Sequence, residues 1–292
     1  MKIIGKTAII TGGSRGIGKA VAAAFLRNGA NVMLAARSRD ELVAAQSELA
    51  AKRIELNKEN AQNGGSVAVF VTDVSRRADV AALVKKTVAT FGGVDIVVNA
   101  AGAYGAIGPV ATVDVEEWKK TFDINLFGTF NVIQEVLPLF IRSGTASAHK
   151  KIINFSGGGD GPLPSFSAYN ASKVAIVRLT ETLAKELAEQ NIDVNAVAPG
   201  PVNTKILEDG LAAGEKMIGK EMYEKFLKQK HDGGVPPEKA AELCVFLASS
   251  DSDGLSGKLV SAIYDNWNEW TKDDIIKLMA SDKLNLRRVN FQ

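Results

Sequence analysis

Cysteine is almost missing from this chain: Cys244 stands alone among 292 residues. An intrachain disulfide is thereby excluded, and a reducing, cytoplasmic setting is expected. Cys244 lies in the apolar run 240–248, where it reads as a small buried hydrophobe rather than a nucleophile. Histidine is nearly as scarce. His149 and His231 have no cysteine or carboxylate at ligand spacing, so no metal site is expected. An excess of one charge is lacking too, with 35 Lys and Arg against 33 Asp and Glu. The net +2 gives no field that would select nucleic acid or an anionic membrane. The N-terminus, Met1 to Lys6, has no signal-peptide stretch, and no apolar run approaches membrane-spanning length. Pro/Ser-rich linkers and internal repeats are absent. With 46% hydrophobic and 23% charged residues, the chain is expected to bury a sizeable core within one large domain.

What is present is a regular alternation. Apolar runs at Thr7–Ile10, Val32–Ala35, Val67–Val71, Ile96–Val98, Ile152–Phe155, Val194–Val197 and Leu259–Ile263 read as buried strands. Helix-period stretches separate them, at Ile17–Asn28, Arg39–Lys58, Arg76–Phe91, Val115–Ile141, Ala171–Gln190 and Pro237–Ser249. Continuous β-branched runs between helices predict about seven parallel strands covered on both faces. The fold class is therefore α/β, doubly wound and single-domain. Two segments break the rhythm. Residues 52–65 read as a polar surface elaboration. The charged, Gly-interrupted stretch 203–235 reads as a substrate lid or a surface helical pair.

Thr11-Gly12-Gly13-Ser14-Arg15-Gly16-Ile17-Gly18 joins the first strand to the first helix. Glycines at 12, 16 and 18 allow a tight turn, close approach of a pyrophosphate and close helix–strand packing. The helix N-terminus adds unpaired N–H groups, so Gly12, Ser14, Arg15, Gly16, Ile17 and Gly18 are candidate cofactor contacts. At the end of the second strand, Ala36 stands where a ribose-gripping carboxylate would be. Arg37 and Arg15 can approach a 2′-phosphate there, with Ser14 and Ser38 adding hydroxyls. NADP(H) is therefore expected in preference to NAD(H), unless both arginines are merely solvated charges.

Tyr169 and Lys173 stand at i and i+4 on one helix face. A neighbouring ammonium is expected to lower the phenol's pKa, fitting Tyr169 to exchange a proton with a carbonyl or alcohol oxygen. Ser156, at a strand end 13 residues earlier, could hold the same oxygen.

In combination these motifs resemble the short-chain dehydrogenase/reductase family in its single-domain, Rossmann-type form, over about Lys6 to Ala262. Its members similar to this chain include 3-oxoacyl-carrier-protein reductases and related carbonyl reductases. The resemblance implies that Asp73 and Val74 meet adenine. It also implies that Asn99, Ala100 and Gly102, in Asn99-Ala100-Ala101-Gly102, border the cofactor, with Asn99 steadying the sheet. Asn125 would complete a catalytic tetrad with Ser156, Tyr169 and Lys173, holding a water through a backbone kink. Tyr169 and Lys173 would touch the cofactor as well. Pro199, Gly200, Val202 and Thr204 would line the nicotinamide and phosphates. Taken singly, Asp73 is also a reasonable helix cap, Asn125 a satisfied amide, and Pro199-Gly200 a plain turn.

Substrate specificity is expected in loops 102–113, 157–167 and 203–235. Tyr104 with its small neighbours suggests a roomy pocket without fixed charge. Leu163 and Phe166 offer apolar walls, and Asp160 is a turn-former or a hydroxyl acceptor. A 3-oxoacyl thioester is the first substrate expectation and a sugar-derived or other small ketone the alternative. A dinucleotide-binding regulator without turnover is the rival from another class. A homodimer or homotetramer is expected from the resemblance, with a small-molecule substrate and neither nucleic acid nor membrane as partner. The catalytic domain would span residues 1–263. The extension 264–292, with Tyr264, Trp267, Trp270 and the basic pair Arg287-Arg288, would pack on the domain or a subunit interface, or Trp267 or Trp270 would wall the pocket.

Overall fold

The first strand, β1 (Thr7–Thr11), is buried along its whole length, and its side chains part to opposite sides: Ile10 enters one core layer and Ile9 the other. That period of two recurs in β2 (Asn31–Ala36), β4 (Ile96–Asn99) and β5 (Lys150–Phe155), as a sheet covered on both faces requires. The computed structural model describes residues 2–56, 65–142, 149–157 and 161–286. With β3 (Val67–Val71), β6 (Ile192–Ala198) and β7 (Leu259–Ser261) the sheet has seven strands in the order β3-β2-β1-β4-β5-β6-β7. Every pairing is parallel, with Ala8 beside Val32 and Ile96 and with Asn99 beside Asn154. The order reverses between β1 and β4, which opens a crevice at their carboxyl ends.

Helices α1 (Gly16–Arg27), α2 (Arg39–Leu56) and α10 (Pro237–Ala248) cover one face, with Phe25, Leu42 and Cys244 fully buried. Helices α3 (Arg77–Phe91), α5 (Gly128–Arg142) and α6 (Ser167–Glu186) cover the other. Before α5 run α4 (Val115–Phe122) and one π turn, Asp123–Phe127. The continuous stretch Val115–Arg142 is 28 residues, and its most apolar 18-residue window has a mean hydropathy of 1.4. By length and composition it could span a membrane, contrary to the expectation that no run would. Charges at Glu116, Glu117, Lys119 and Lys120 interrupt the run in sequence. Val132, Ile133, Val136 and Phe140 are buried against the sheet, so the apolarity belongs to a core helix.

The stretch 203–235 forms three helices, α7 (Lys205–Ala213), α8 (Glu215–Ile218) and α9 (Lys220–Asp232), parted by left-handed Gly214 and Gly219. In the tail, Trp267 and Trp270 pack on Phe246 at 5.8 and 6.2 Å between ring centroids, not at Tyr169. Helix α11 (Lys272–Met279) follows behind a Thr271–Asp274 capping box. The backbone N–H of Leu259 donates to Leu284 O at 2.8 Å, and the Lys258 ammonium donates to Ser281 O, Lys283 O and Asn285 Oδ1. Strand β7 ends at Ser261, two residues before the expected Ile263, because Ser261 N and Oγ turn to Asp265 and to the N–H groups of Ile263 and Tyr264. Most of the polar elaboration 52–65 and the Arg287-Arg288 pair lie outside the described residues, as do Gly158, Gly159 and Asp160.

Candidate active site

The turn after β1 is shaped by contacts a side chain would forbid. A Cβ on Gly18 would fall 2.3 Å from Gly12 O, and one on Gly12, at φ +65°, 2.8 Å from Ala100 O. Helix α1 thus starts against β1 with Arg15 as its extended N-cap and no side chain bonded to its first N–H groups. Gly16, at φ +54°, faces Thr204 across the crevice, 3.3 Å from a Cβ position to Cγ2. Open N–H donors at a helix start, backed by glycine and facing a threonine, fit a dinucleotide's phosphates.

Thr11 Oγ1 accepts from Ala101 N at 3.1 Å, while Asn99 donates to Asn154 Oδ1 and Asn154 to Thr180 Oγ1, each at 2.9 Å. Asn99 therefore ties β4 through β5 to α6. Its own Oδ1 is buried and has no protein partner among the described residues. Asp73 Oδ1 accepts from both Ser75 N and Ser75 Oγ, and Val74 packs into the core. Val202 N donates to Gly200 O at 3.0 Å, with Gly200 in the left-handed region beside Ile263. Arg37 is exposed, and Ser38 Oγ caps α2 by accepting from Glu41 N at 3.3 Å.

One neighbour of these residues escaped the sequence reading. Glu41 Oε2 accepts from Ser14 Oγ at 2.9 Å and Oε1 from Arg15 Nη1 at 3.0 Å. Glu41 stands in the first turn of α2, where the helix dipole favours an acid. An acidic residue one turn beyond the strand end was the available signal.

At the carboxyl end of β5, Ser156 is buried and its hydroxyl donates to Lys173 O at 3.4 Å. Tyr169 and Lys173 rise from the start of α6, 8% and 4% exposed. The Lys173 ammonium donates to Phe155 O at 2.9 Å and stands 5.8 Å from the Tyr169 ring centre. A Cβ on Gly157 would lie 2.5 Å from Tyr169 Oη, so a larger residue would displace the phenol. Asn125 sits on the π turn, the kind of bulge that re-aims a side chain. Its amide exchanges bonds of 3.0 Å with Ala103 N and O and donates to Ser172 Oγ. Asn125 Oδ1 and Lys173 Nζ flank Gly102, each 3.4 Å from where its Cβ would stand. The structure thus brings Asn125, Ser156, Tyr169 and Lys173 to one place.

Above Tyr169 lies a cluster of aromatic and aliphatic side chains. Tyr104 lies edge-on to the Tyr169 ring at 4.7 Å and packs on Phe166 and Phe226. Leu207, Ile218 and Phe226 from α7–α9 complete an apolar roof. The small neighbour Gly105 serves close packing, since its Cβ would overlap Thr121 Oγ1. Burial decides the electrostatics. It raises the Tyr169 phenol's pKa, Tyr104 adding to the shift, and pushes Tyr104 up to about 12. The same desolvation drops Lys173 to about 8. The direction for Tyr169 is therefore upward, opposite to the lowering expected from its i+4 cation, and burial is the main cause.

At the amino ends of β5 and β6, His149, Asp193 and Asp253 gather within 4.8 Å, a grouping that sequence spacing did not suggest. The Lys151 ammonium occupies the cluster, 2.8 Å from Asp193 Oδ2 and 2.7 Å from Asp253 Oδ1.

Residues 6–213 match the family model described as short chain dehydrogenase. The chain belongs to that family. This short-chain dehydrogenase is 34% identical over 267 residues to the diacetyl reductase [(S)-acetoin forming] of Staphylococcus epidermidis, covering 87% of this chain and 96% of that one. It resembles the Pseudomonas aeruginosa RhlG/NADP active-site complex (TM-score 0.75, 27% identity, 89% of this chain and 95% of that one). It also resembles the 3-ketoacyl-(acyl-carrier-protein) reductase of Brucella melitensis complexed with NADH (TM-score 0.74, 28% identity, 89% and 97%). This short-chain dehydrogenase is accordingly an oxidoreductase acting on CH–OH or C=O groups, with a fold that binds a nicotinamide dinucleotide.

Proposed function

We propose that the chain is an NADPH-linked carbonyl reductase, or in reverse an alcohol dehydrogenase, with a 3-oxoacyl thioester as first substrate and a small or sugar-derived ketone as alternative. The observation that carries this reading is the convergence of Ser156, Tyr169, Lys173 and Asn125 beside the start of α1, beneath an apolar roof. When bound, the nicotinamide supplies or takes the hydride. The Gly12–Gly18 turn, Asn99, Ala100, Gly102, Pro199, Gly200, Val202 and Thr204 would hold the dinucleotide. Asp73 and Val74 would border its adenine, and Arg15, Arg37, Ser14 and Ser38 its 2′-phosphate.

Tyr169 does the proton chemistry. Its burial keeps the phenol protonated, which suits it to give that proton to the carbonyl oxygen as the carbon is reduced. Ser156 holds the same oxygen. Lys173, at about 8, is able to re-protonate Tyr169 near neutrality, with Asn125 completing the path at the π turn. The roof places apolar surface beside the carbonyl and keeps water out, so it must part to admit a thioester. Exposed Phe127 at the end of the π turn and Phe130 and Ile141 on α5 support assembly as a homodimer or homotetramer.

The test is NADPH consumption over a panel holding an acetoacetyl thioester, diacetyl and a sugar-derived ketone, for the native chain and Tyr169→Phe. Turnover of a panel member that vanishes in the variant, with NADPH binding kept, supports the reading. Equal turnover by both proteins defeats it.

A further inference from the structure

The carboxylate of Glu41 stands among the groups proposed to receive a 2′-phosphate. It accepts from Ser14 Oγ and Arg15 Nη1, while the backbone N–H of Glu41 donates to Ser38 Oγ. Three of the four candidate 2′-phosphate contacts are therefore tied to one acid, and only Arg37 is left out. A 2′-phosphate would have to compete with that acid for both donors and would meet its charge at close range. A ribose 2′-hydroxyl carries no such penalty, since a carboxylate can accept from it.

We infer that Glu41 sets the balance between the two nicotinamide cofactors, holding the NADPH advantage down and keeping NADH within reach. This rests on the proposal that Arg15 and Arg37 face the 2′-position. Asp40 supplies a control. It lies in the same helical turn, is exposed, and among the described residues forms no hydrogen bond or ion pair with Ser14 or Arg15, so it carries the same charge without the same bonds.

The experiment measures calorimetric affinities for 2′,5′-ADP and 5′-AMP, and fluorescence titrations with NADPH and NADH, in the native protein, Glu41→Gln and Asp40→Asn. The glutamine keeps the size and removes the charge. Expected is a strengthening of 2′,5′-ADP and NADPH by about tenfold in Glu41→Gln, with 5′-AMP and NADH within about twofold. Asp40→Asn should leave all four within about twofold. An unmoved ratio in Glu41→Gln, weaker 2′,5′-ADP binding, or an equal effect of Asp40→Asn overturns the inference. The native ratio judges the cofactor proposal separately. A native protein preferring 5′-AMP and NADH would defeat the NADPH preference even if Glu41→Gln shifted the ratio as expected. No saturable binding of any probe would overturn both.

Discussion

Lys151 and Lys173 are both nearly inaccessible, 3% and 4% exposed, yet they have opposite surroundings. At the amino ends of the strands, Lys151 meets Asp193 and Asp253 at salt-bridge distance. At the carboxyl ends, Lys173 donates to the Phe155 carbonyl oxygen and, among the described residues, meets no carboxylate. A paired ammonium is a structural joint, because removing either side strands a buried charge. One without a carboxylate is left to desolvation, which lowers its pKa to about 8 and suits it to the proton relay proposed above. Burial alone did not separate the two roles; the presence of a counter-charge did.

The comparison can be broken most forcefully at the site. Tyr169→Phe should lower turnover by about a thousandfold or more while leaving cofactor affinity within about twofold, read by initial rates and fluorescence titration. Lys173→Met should lose most of its activity yet unfold no earlier than the native protein, since it relieves a desolvated charge. Lys151→Met should do the reverse. It should lose about 3–5 kcal/mol in chemical denaturation with kcat unchanged in the folded fraction. Equal stability losses in the two lysine variants would collapse the distinction.

A finer test is the pH profile. The Lys173 ammonium is the charged form below its pKa, so kcat/KM for reduction should be level at pH 6–7 and fall as pH rises through about 8. A profile level to pH 10 would show that Lys173 does not limit the proton path. The smallest expected effect lies in the C-terminal helix. Thr271→Ala removes the capping box of α11 and should cost about 1 kcal/mol without altering kinetics.

The sheet was legible because parallel strands are written as local apolar runs, and Tyr169, Lys173 and the glycine turn because their spacing is local too. Helices α7–α9 were legible only as a lid or a surface helical pair, not as three pieces. Glycine breaks them into short pieces, and α9 carries its apolar Phe226 among charges. The bond from Glu41 to Ser14, 27 residues away, and the His149–Asp193 contact, 44 residues apart, exist only after folding. The pKa of Tyr169 was misjudged for a related reason. Its i+4 cation is visible in sequence, whereas the roof of Tyr104, Phe166 and Phe226 that removes water comes from three separate segments.

The segment beside β7 has a consequence for assembly. A three-residue strand at the margin of a sheet ordinarily offers bare N–H and C=O groups to any passing chain. Here Leu284 accepts the Leu259 amide, and Lys258 fastens the chain on either side of that contact. The last strand therefore has an intramolecular substitute for a neighbour. A second copy pairing with β7 at Leu259 would have to displace that contact.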